Sequence, residues 1–345
     1  MKSFWRGSSK TWTDVLGHDG VKGFLSNYLH AQERPHALLF LGASGLGKKR
    51  LALEFAKALL CDSGTGEDSC ESCRLMNLDD GNFSHPDFIM LEQEQDPKTG
   101  RIKDIGIDPV RELISKAAFA PVLSKNKVCI IDGVDSMTVY AANSFLKLLE
   151  EPPEGWVIIL LAQSEEKLLS TILSRVVKVR FQPIPEELVR KALLERGVAK
   201  AQALVLARIS EGSLGAALGL VEQQVFDVRQ QVVSFLEALP LRMPMDYLVG
   251  RPWVEKYDRY QAILFIKLLQ LFLRDLLIIS SDAKIDLYNC DLEHSLRQLS
   301  RGWTTRSLKQ SLEVVKETYS ALVGSVGVKL AQESMALKID LIYKE

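Results

Sequence analysis

Leu38-Leu39-Phe40-Leu41-Gly42-Ala43-Ser44-Gly45-Leu46-Gly47-Lys48-Lys49 is an apolar strand running into a glycine-rich turn, and a helix-forming stretch from Arg50 to Leu60 follows it. The spacing of Gly42, four residues, then Gly47-Lys48 is that of a phosphate-binding loop. Its glycines let backbone N–H groups approach phosphate oxygens, and its lysine adds a positive charge. The next position departs from the pattern. A serine or threonine there would place an oxygen on a Mg²⁺ ion between the β- and γ-phosphates, whereas the Lys49 ammonium has no lone pair to give a cation. Gly42, Gly45, Gly47, Lys48, Lys49 and, further along, Asp132 are the candidate residues of a degenerate nucleotide site.

Outward from the loop, five short apolar runs at 37–41, 87–91, 128–132, 157–162 and 176–180 alternate with helix-period segments. That alternation predicts an α/β domain with a five-stranded parallel sheet covered by helices. Leu51, Phe55, Ala58 and Leu59 share one face of the helix after the loop. Asp108 and Pro109 predict an N-cap and a first helical position for a helix through Ala118. Another helix runs from Val139 to Leu149 and stops before Pro152-Pro153, whose rings forbid continuation. Past Pro183 and Pro185 no alternating pattern recurs, so the rest reads as helical. Early in that helical stretch Leu188, Ala192, Leu193, Leu204, Leu206 and Ile209 can form a core. From about Val225 onward the apolar periodicity is strong, with Ile263, Ile266, Leu269, Phe272 and Leu276 on one stripe, and reads as a helical bundle with Trp253 and Trp303 as packing residues.

The third apolar run ends in Ile130-Ile131-Asp132-Gly133. In phosphate-loop ATPases a strand-end aspartate orients the metal, and in the hydrolytic subgroup a glutamate after it polarises the attacking water. Gly133 stands at that second position, and Asp135 lies too far along the chain to replace it. Asp132 reads either as a remnant of a metal site or as a residue that closes a buried strand and caps the next helix.

Composition excludes some functions. With 43 Lys plus Arg against 44 Asp plus Glu, the whole-chain field neither draws DNA nor repels it strongly, so any nucleic-acid contact must be local or come through partners. No apolar export segment stands in residues 1–10 and no run is long enough to span a bilayer, so a cytoplasmic protein is expected, with no membrane partner. Of five cysteines, three crowd at 61, 70 and 73. A Cys-x-x-Cys pair directs two thiolates at one point and is the usual half of a tetrahedral zinc site. Cys61, Cys70 and Cys73 are therefore candidate zinc ligands, with Glu67, Asp68 or His85 open as the fourth. The alternative is three partly buried thiols that hold no metal. Cys129 and Cys290 read as small core residues.

Several motifs occur together and in order: His36-Ala37-Leu38-Leu39-Phe40, the loop, Ser84-His85-Pro86-Asp87, Asn143-Ser144-Phe145-Leu146-Lys147-Leu148-Leu149-Glu150-Glu151-Pro152-Pro153, and Thr171-Ile172-Leu173-Ser174-Arg175. With them the chain resembles the bacterial clamp-loader subunits of DNA polymerase III, members of the AAA+ ATPase superfamily. The resemblance implies an AAA+ nucleotide-binding domain at 1–183 with a zinc-type cysteine insert at 61–73, a helical lid domain at 184–224 and an all-α collar domain at 225–345. It implies a hetero-pentamer with ATPase motor subunits and a clamp-opening subunit, which loads a sliding clamp onto primed DNA during replication.

The family divides into hydrolysing motor subunits and a rigid type that completes a neighbour's site. The motor type has Ser or Thr where Lys49 stands, Glu where Gly133 stands, and an arginine in a Gly-Ser-x-Arg setting where this chain has Gly212-Ser213-Leu214-Gly215. These departures imply the rigid, non-hydrolysing type, with its loop either holding ATP or ADP without turnover or empty. An active motor subunit is the alternative. Arg175 matches the family's Ser-Arg-Cys motif, with Val176 in third place, and the resemblance implies an arginine finger acting in trans on a neighbour's γ-phosphate. The family's zinc module has four cysteines. Counting from Cys61, the lost ligand falls at Met76; aligning Cys-x-x-Cys-Arg-Leu-Met puts it near Glu67, and His85 belongs to the family's own His-Pro-Asp turn.

Overall fold

Each apolar run becomes a strand within one residue of its expected limits. The computed structural model describes residues 12, 15–66, 69–78, 81–94, 103–242, 244, 248–324 and 326–344. In chain order the first part runs α1 (Asp19–His30), β1 (Ala37–Leu41), α2 (Lys48–Leu60), α3 (Glu71–Leu75), β2 (Met76–Asn77), β3 (Asn82–Phe83), β4 (Phe88–Leu91), α4 (Ile107–Ala117), β5 (Lys127–Asp132), α5 (Val139–Glu150), β6 (Trp156–Ala162) and β7 (Val177–Arg180). Five strands form one parallel sheet in the order β4-β5-β6-β1-β7, while β2 and β3 make a separate antiparallel pair.

Alternation along each strand sorts side chains to the two faces of the sheet. Leu38 and Phe40 of β1, Val128 and Ile130 of β5, and Val157, Ile159 and Leu161 of β6 pack with Leu25, Tyr28, Leu51 and Phe55 of α1 and α2. Ala37, Leu39, Cys129, Ile131, Ile158 and Leu160 pack with Val110 and Leu113 of α4 and Phe145 and Leu149 of α5. The sheet is thus buried on both sides, which is why its strands read as unbroken apolar runs. Burial pushes the Cys129 thiol up, so it stays protonated as a small core residue.

Ahead of β4, Asp87 is fully buried, and its carboxylate accepts the backbone N–H groups of Val122 (2.7 Å), Leu123 (2.7 Å) and Ser124 (2.8 Å). Burial works to raise its pKa, but the three amides together hold the carboxyl below its ordinary value. Helix α4 corrects the expected cap. Its N-cap is Gly106, because Ile105 bridges to Met137 and the chain turns at once; Asp108 sits inside the first turn, where its charge faces the helix dipole without capping it. Helix α5 starts behind Thr138, whose hydroxyl accepts the Ala141 N–H.

The chain divides into two compact units, Met1–Val189 with Gly212–Ala216, and Arg190–Glu211 with Ala217–Glu345. In the second, every described element is helical. Its long helix Arg259–Ser280 begins with a capping box between Asp258 and Gln261 and buries Ile266, Leu269, Phe272 and Leu276, with Ile263 half-buried. Trp253 stacks on Phe265 at 4.7 Å, and Trp303 packs edge-on against Tyr343, so both tryptophans are packing residues. Asp275 is fully buried and accepts from Asn289 N and Nδ2, each at 2.8 Å; Arg229 in turn holds Asn289 Oδ1 and Asp291. Of the six residues expected as a lid core, Ala192, Leu193 and Leu206 are buried and Leu204 and Ile209 half-buried, but Leu188 is exposed; Ala203 and Val205 are buried instead. Among the described residues no helix is long and apolar enough to cross a membrane.

Candidate functional site

Because β1 ends at Leu41, the glycine turn delivers the N-terminus of α2 to one end of the sheet, beside the C-terminal ends of β5 and β6. A cavity of about 730 Å³ opens there, walled by Ser44, Gly45, Gly47 to Arg50, Glu92, Gln93, Asp132, Asp135 and Gln163. Lys48 is buried and turns back onto the loop, donating to Gly42 O (2.5 Å) and Ala43 O (2.7 Å). Burial lowers its pKa, against the pull of Asp132 and Asp135. Lys49 points across the cavity to Glu92 Oε1 (2.6 Å) and Asp132 Oδ2 (3.4 Å). Burial pushes the Asp132 carboxyl up, aided by Glu92 and opposed by Lys49 and Lys48. Asp135 is committed elsewhere: its carboxylate accepts the Gln163 N–H at 3.0 Å.

Two glycines limit what this site can become. Gly133 has φ +84°, and a Cβ there would come 2.8 Å from Gln93 Oε1, so a glutamate at this position meets backbone strain and has to push the Gln93 side chain aside. Gly215 lies against the loop backbone, where its N–H donates to Gly45 O at 3.0 Å and an added Cβ would come 2.8 Å from Gly45 Cα. Ser213 Oγ donates to Ser44 O at 3.1 Å. An arginine at 215 has no room without moving the phosphate loop.

Arg175 lies elsewhere. Its guanidinium donates to Thr171 O (2.9 Å) and Ser174 Oγ (3.0 Å) and pairs with Glu150 Oε1 at 2.7 Å, with about a third of the side chain exposed. Leu38 pairs with Val177 and Leu41 with Arg180, so Arg175 precedes the N-terminal end of edge strand β7 while the phosphate loop leaves the C-terminal end of β1. Four strand residues, about 13 Å, separate those ends. The arginine cannot serve its own loop.

The three cysteines converge. The Sγ atoms of Cys61, Cys70 and Cys73 lie within 4.8 Å of one another, with Cys61 at the C-terminus of α2 and Cys70 and Cys73 bracketing the first turn of α3. Three thiolates at that spacing fit a tetrahedral zinc ion. Both ring nitrogens of His85 are engaged away from the thiols. Its Nδ1 accepts the Asp87 N–H at 3.0 Å, which places the proton on Nε2 facing Ser72 Oγ (3.0 Å) and Ser124 Oγ (3.2 Å). Met76 is fully buried in the apolar core, and Glu67 and Asp68 lie outside the described residues.

Comparison with known proteins agrees with this architecture. The family model described as "DNA polymerase III, delta subunit" matches residues 17–185, and "DNA polymerase III, delta subunit, C terminal" matches 254–339. The DNA polymerase III subunit delta' of Bacillus subtilis is 30% identical over 323 residues, 92% of this chain and 95% of that protein. The chain belongs to the DNA polymerase III delta-prime subunit family. Similarity to the tau-type relatives is narrower: the DNA polymerase III subunit tau of Escherichia coli is 34% identical over 64% of this chain, which is 34% of its own length. Among solved structures, a gamma-subunit-related protein of Thermotoga maritima superposes with a TM-score of 0.51 at 18% identity, covering 92% of this chain and 99% of its own, and shows the fold alone. For this delta-prime family member, sequence reasoning missed Glu92, Gln93 and Glu150. No motif marks the first two, which follow a short edge strand; Glu150 lay inside a motif that was legible only as a family signature.

Proposed function

We propose that this clamp-loader subunit does not hydrolyse ATP but supplies Arg175 in trans to a neighbouring ATPase subunit of a hetero-pentamer in the cytoplasm. One observation carries the reading: Arg175 stands at the end of the sheet opposite to its own phosphate loop, so any γ-phosphate that it reaches belongs to another chain. Lys49 in place of a metal-binding hydroxyl, Gly133 with Gln93 against it, and Gly215 pressed on Gly45 each support the absence of turnover at the chain's own site. The loop can still hold ATP or ADP through Lys48 and its backbone amides. The partners of the proposed complex are the ATPase motor subunits and the clamp-opening delta subunit, with the sliding clamp and primed DNA reached through the assembly. The expected domains are the AAA+ part, a lid at 184–224 and a collar from 225.

With ATP and Mg²⁺ the isolated chain is expected to show no turnover, while mixing it with motor and clamp-opening subunits yields a stoichiometric complex whose ATPase responds to the clamp. Turnover by the isolated chain that Lys48→Ala abolishes would instead identify an active motor subunit.

The cysteine cluster is a structural zinc site in this reading. Metal analysis of protein purified without chelator is expected to give a zinc content that Cys73→Ser removes, together with a lowered melting temperature. An unchanged zinc content in that variant would place the ion elsewhere.

A further inference from the structure

In a phosphate-loop site the divalent ion is held between the hydroxyl that follows the loop lysine and the aspartate at the end of the neighbouring strand. Here those two positions are Lys49 and Asp132, and they meet directly: the ammonium lies 3.4 Å from Asp132 Oδ2 and 2.6 Å from Glu92 Oε1. A positive charge therefore already occupies the ground between α2 and the end of β5, held by two carboxylates on the cavity wall. Of the three N–H donors of an ammonium, two face those carboxylates among the described residues, which leaves one to turn toward a ligand. A second cation brought against it would be repelled.

The first turn of α2 points the same way. It reads Lys48-Lys49-Arg50 and contains no acidic residue. Cations at a helix N-terminus oppose its dipole, so three in a row break a local rule that an anion bound at that end would satisfy. Arg50 is balanced by Glu54 one turn on and Lys48 is turned onto the Gly42 and Ala43 carbonyls, leaving Lys49 to reach across the cavity.

From this arrangement we propose that the Lys49 ammonium is a resident cation that replaces the divalent metal, so that the cavity takes the phosphates of a nucleoside di- or triphosphate without any metal ion. The proposal rests on the reading above that the loop holds nucleotide. The fixed ammonium contributes one N–H and one charge to the terminal phosphates. It provides no Lewis acid to polarise them, so a bound nucleotide persists as a structural ligand.

Titration calorimetry of the full chain with ADP and with ATP, once in excess Mg²⁺ and once in EDTA, tests this. Equal affinities in the two buffers, within about threefold, are expected. Lys49→Thr restores the hydroxyl; its affinity in EDTA is expected to fall about tenfold or more, the worth of one charged hydrogen bond, and to recover in Mg²⁺. Thermal melts of the variant check its fold, and Lys49→Ala, which offers no hydroxyl, is expected to lose affinity without the Mg²⁺ recovery. Binding by the natural chain only in Mg²⁺ overturns the role of Lys49 and leaves the nucleotide reading standing. No binding in either buffer overturns both, and binding that appears only in Lys49→Ala makes the lysine a plug.

Discussion

Replacing Arg175 with alanine is expected to lower the clamp-stimulated ATPase rate of the assembled complex by roughly three powers of ten, with loading of the clamp lost in parallel. The size follows from what a fixed guanidinium does at a phosphoryl-transfer site: it stabilises charge spread over the equatorial oxygens, and water entering in its place does so poorly. The subunit itself should survive the change. Arg175 is partly exposed and among the described residues bonds to Glu150, Thr171 and Ser174 nearby, so assembly by gel filtration and the melting temperature are expected to stay close to normal. Arg175→Lys keeps the charge but loses the planar fork, and should recover only a small part of the rate. A complex of Arg175→Ala that turned over ATP at the normal rate would remove the finger assignment.

The largest effect on stability is expected at Asp87. Its carboxylate satisfies three backbone N–H groups of the segment before β5, so Asp87→Ala leaves three donors without their acceptor around a buried position and should cost about 3 kcal/mol. Amide exchange at Val122, Leu123 and Ser124 should accelerate in the same variant, which distinguishes local loss from a general effect. The pH dependence has a definite sign. Asp87 is held below its ordinary value, so its contribution is present above the unfolded-state pKa, near ~3.9, and disappears as pH falls through the lower folded-state value. The gap in urea midpoint between the natural chain and Asp87→Asn should therefore be wide at neutral pH and close in acid. Equal midpoints at neutral pH would show that the amides find other acceptors.

The sheet was legible because parallel strands buried on both faces leave continuous apolar runs, and β1, β4, β5, β6 and β7 all carry them. The pair β2 and β3 escaped for the opposite reason: two residues per strand are too few for any period to show. The cap of α4 was misplaced because Asp108-Pro109 looks like a start, while the true start is set by the bridge from Ile105 to Met137, which local sequence does not reveal. Leu188 was placed in a core by helical period alone, yet it is exposed. At the site, Arg175 was singled out by its motif alone, and the loop residues were readable from their spacing. The reach of Lys49 to Glu92, the pressure of Gln93 on Gly133 and the grip of Asp87 on residues 122–124 were not, since each joins positions brought together only by folding.

The contact of Gly215 with Gly45 bears on how such a chain can be cut and recombined. The phosphate loop is completed by a five-residue segment, Gly212–Ala216, that returns to the first unit only after the chain has passed through Arg190–Glu211. A fragment ended at Val189 would retain the whole sheet but strip the Ser44 and Gly45 carbonyls of Ser213 and Gly215. The nucleotide domain is therefore not a contiguous cassette. Splicing it onto another scaffold at the end of the sheet transfers the strands without their loop cover, so inheritance of a finished loop requires the stretch through Ala216 to travel as one block.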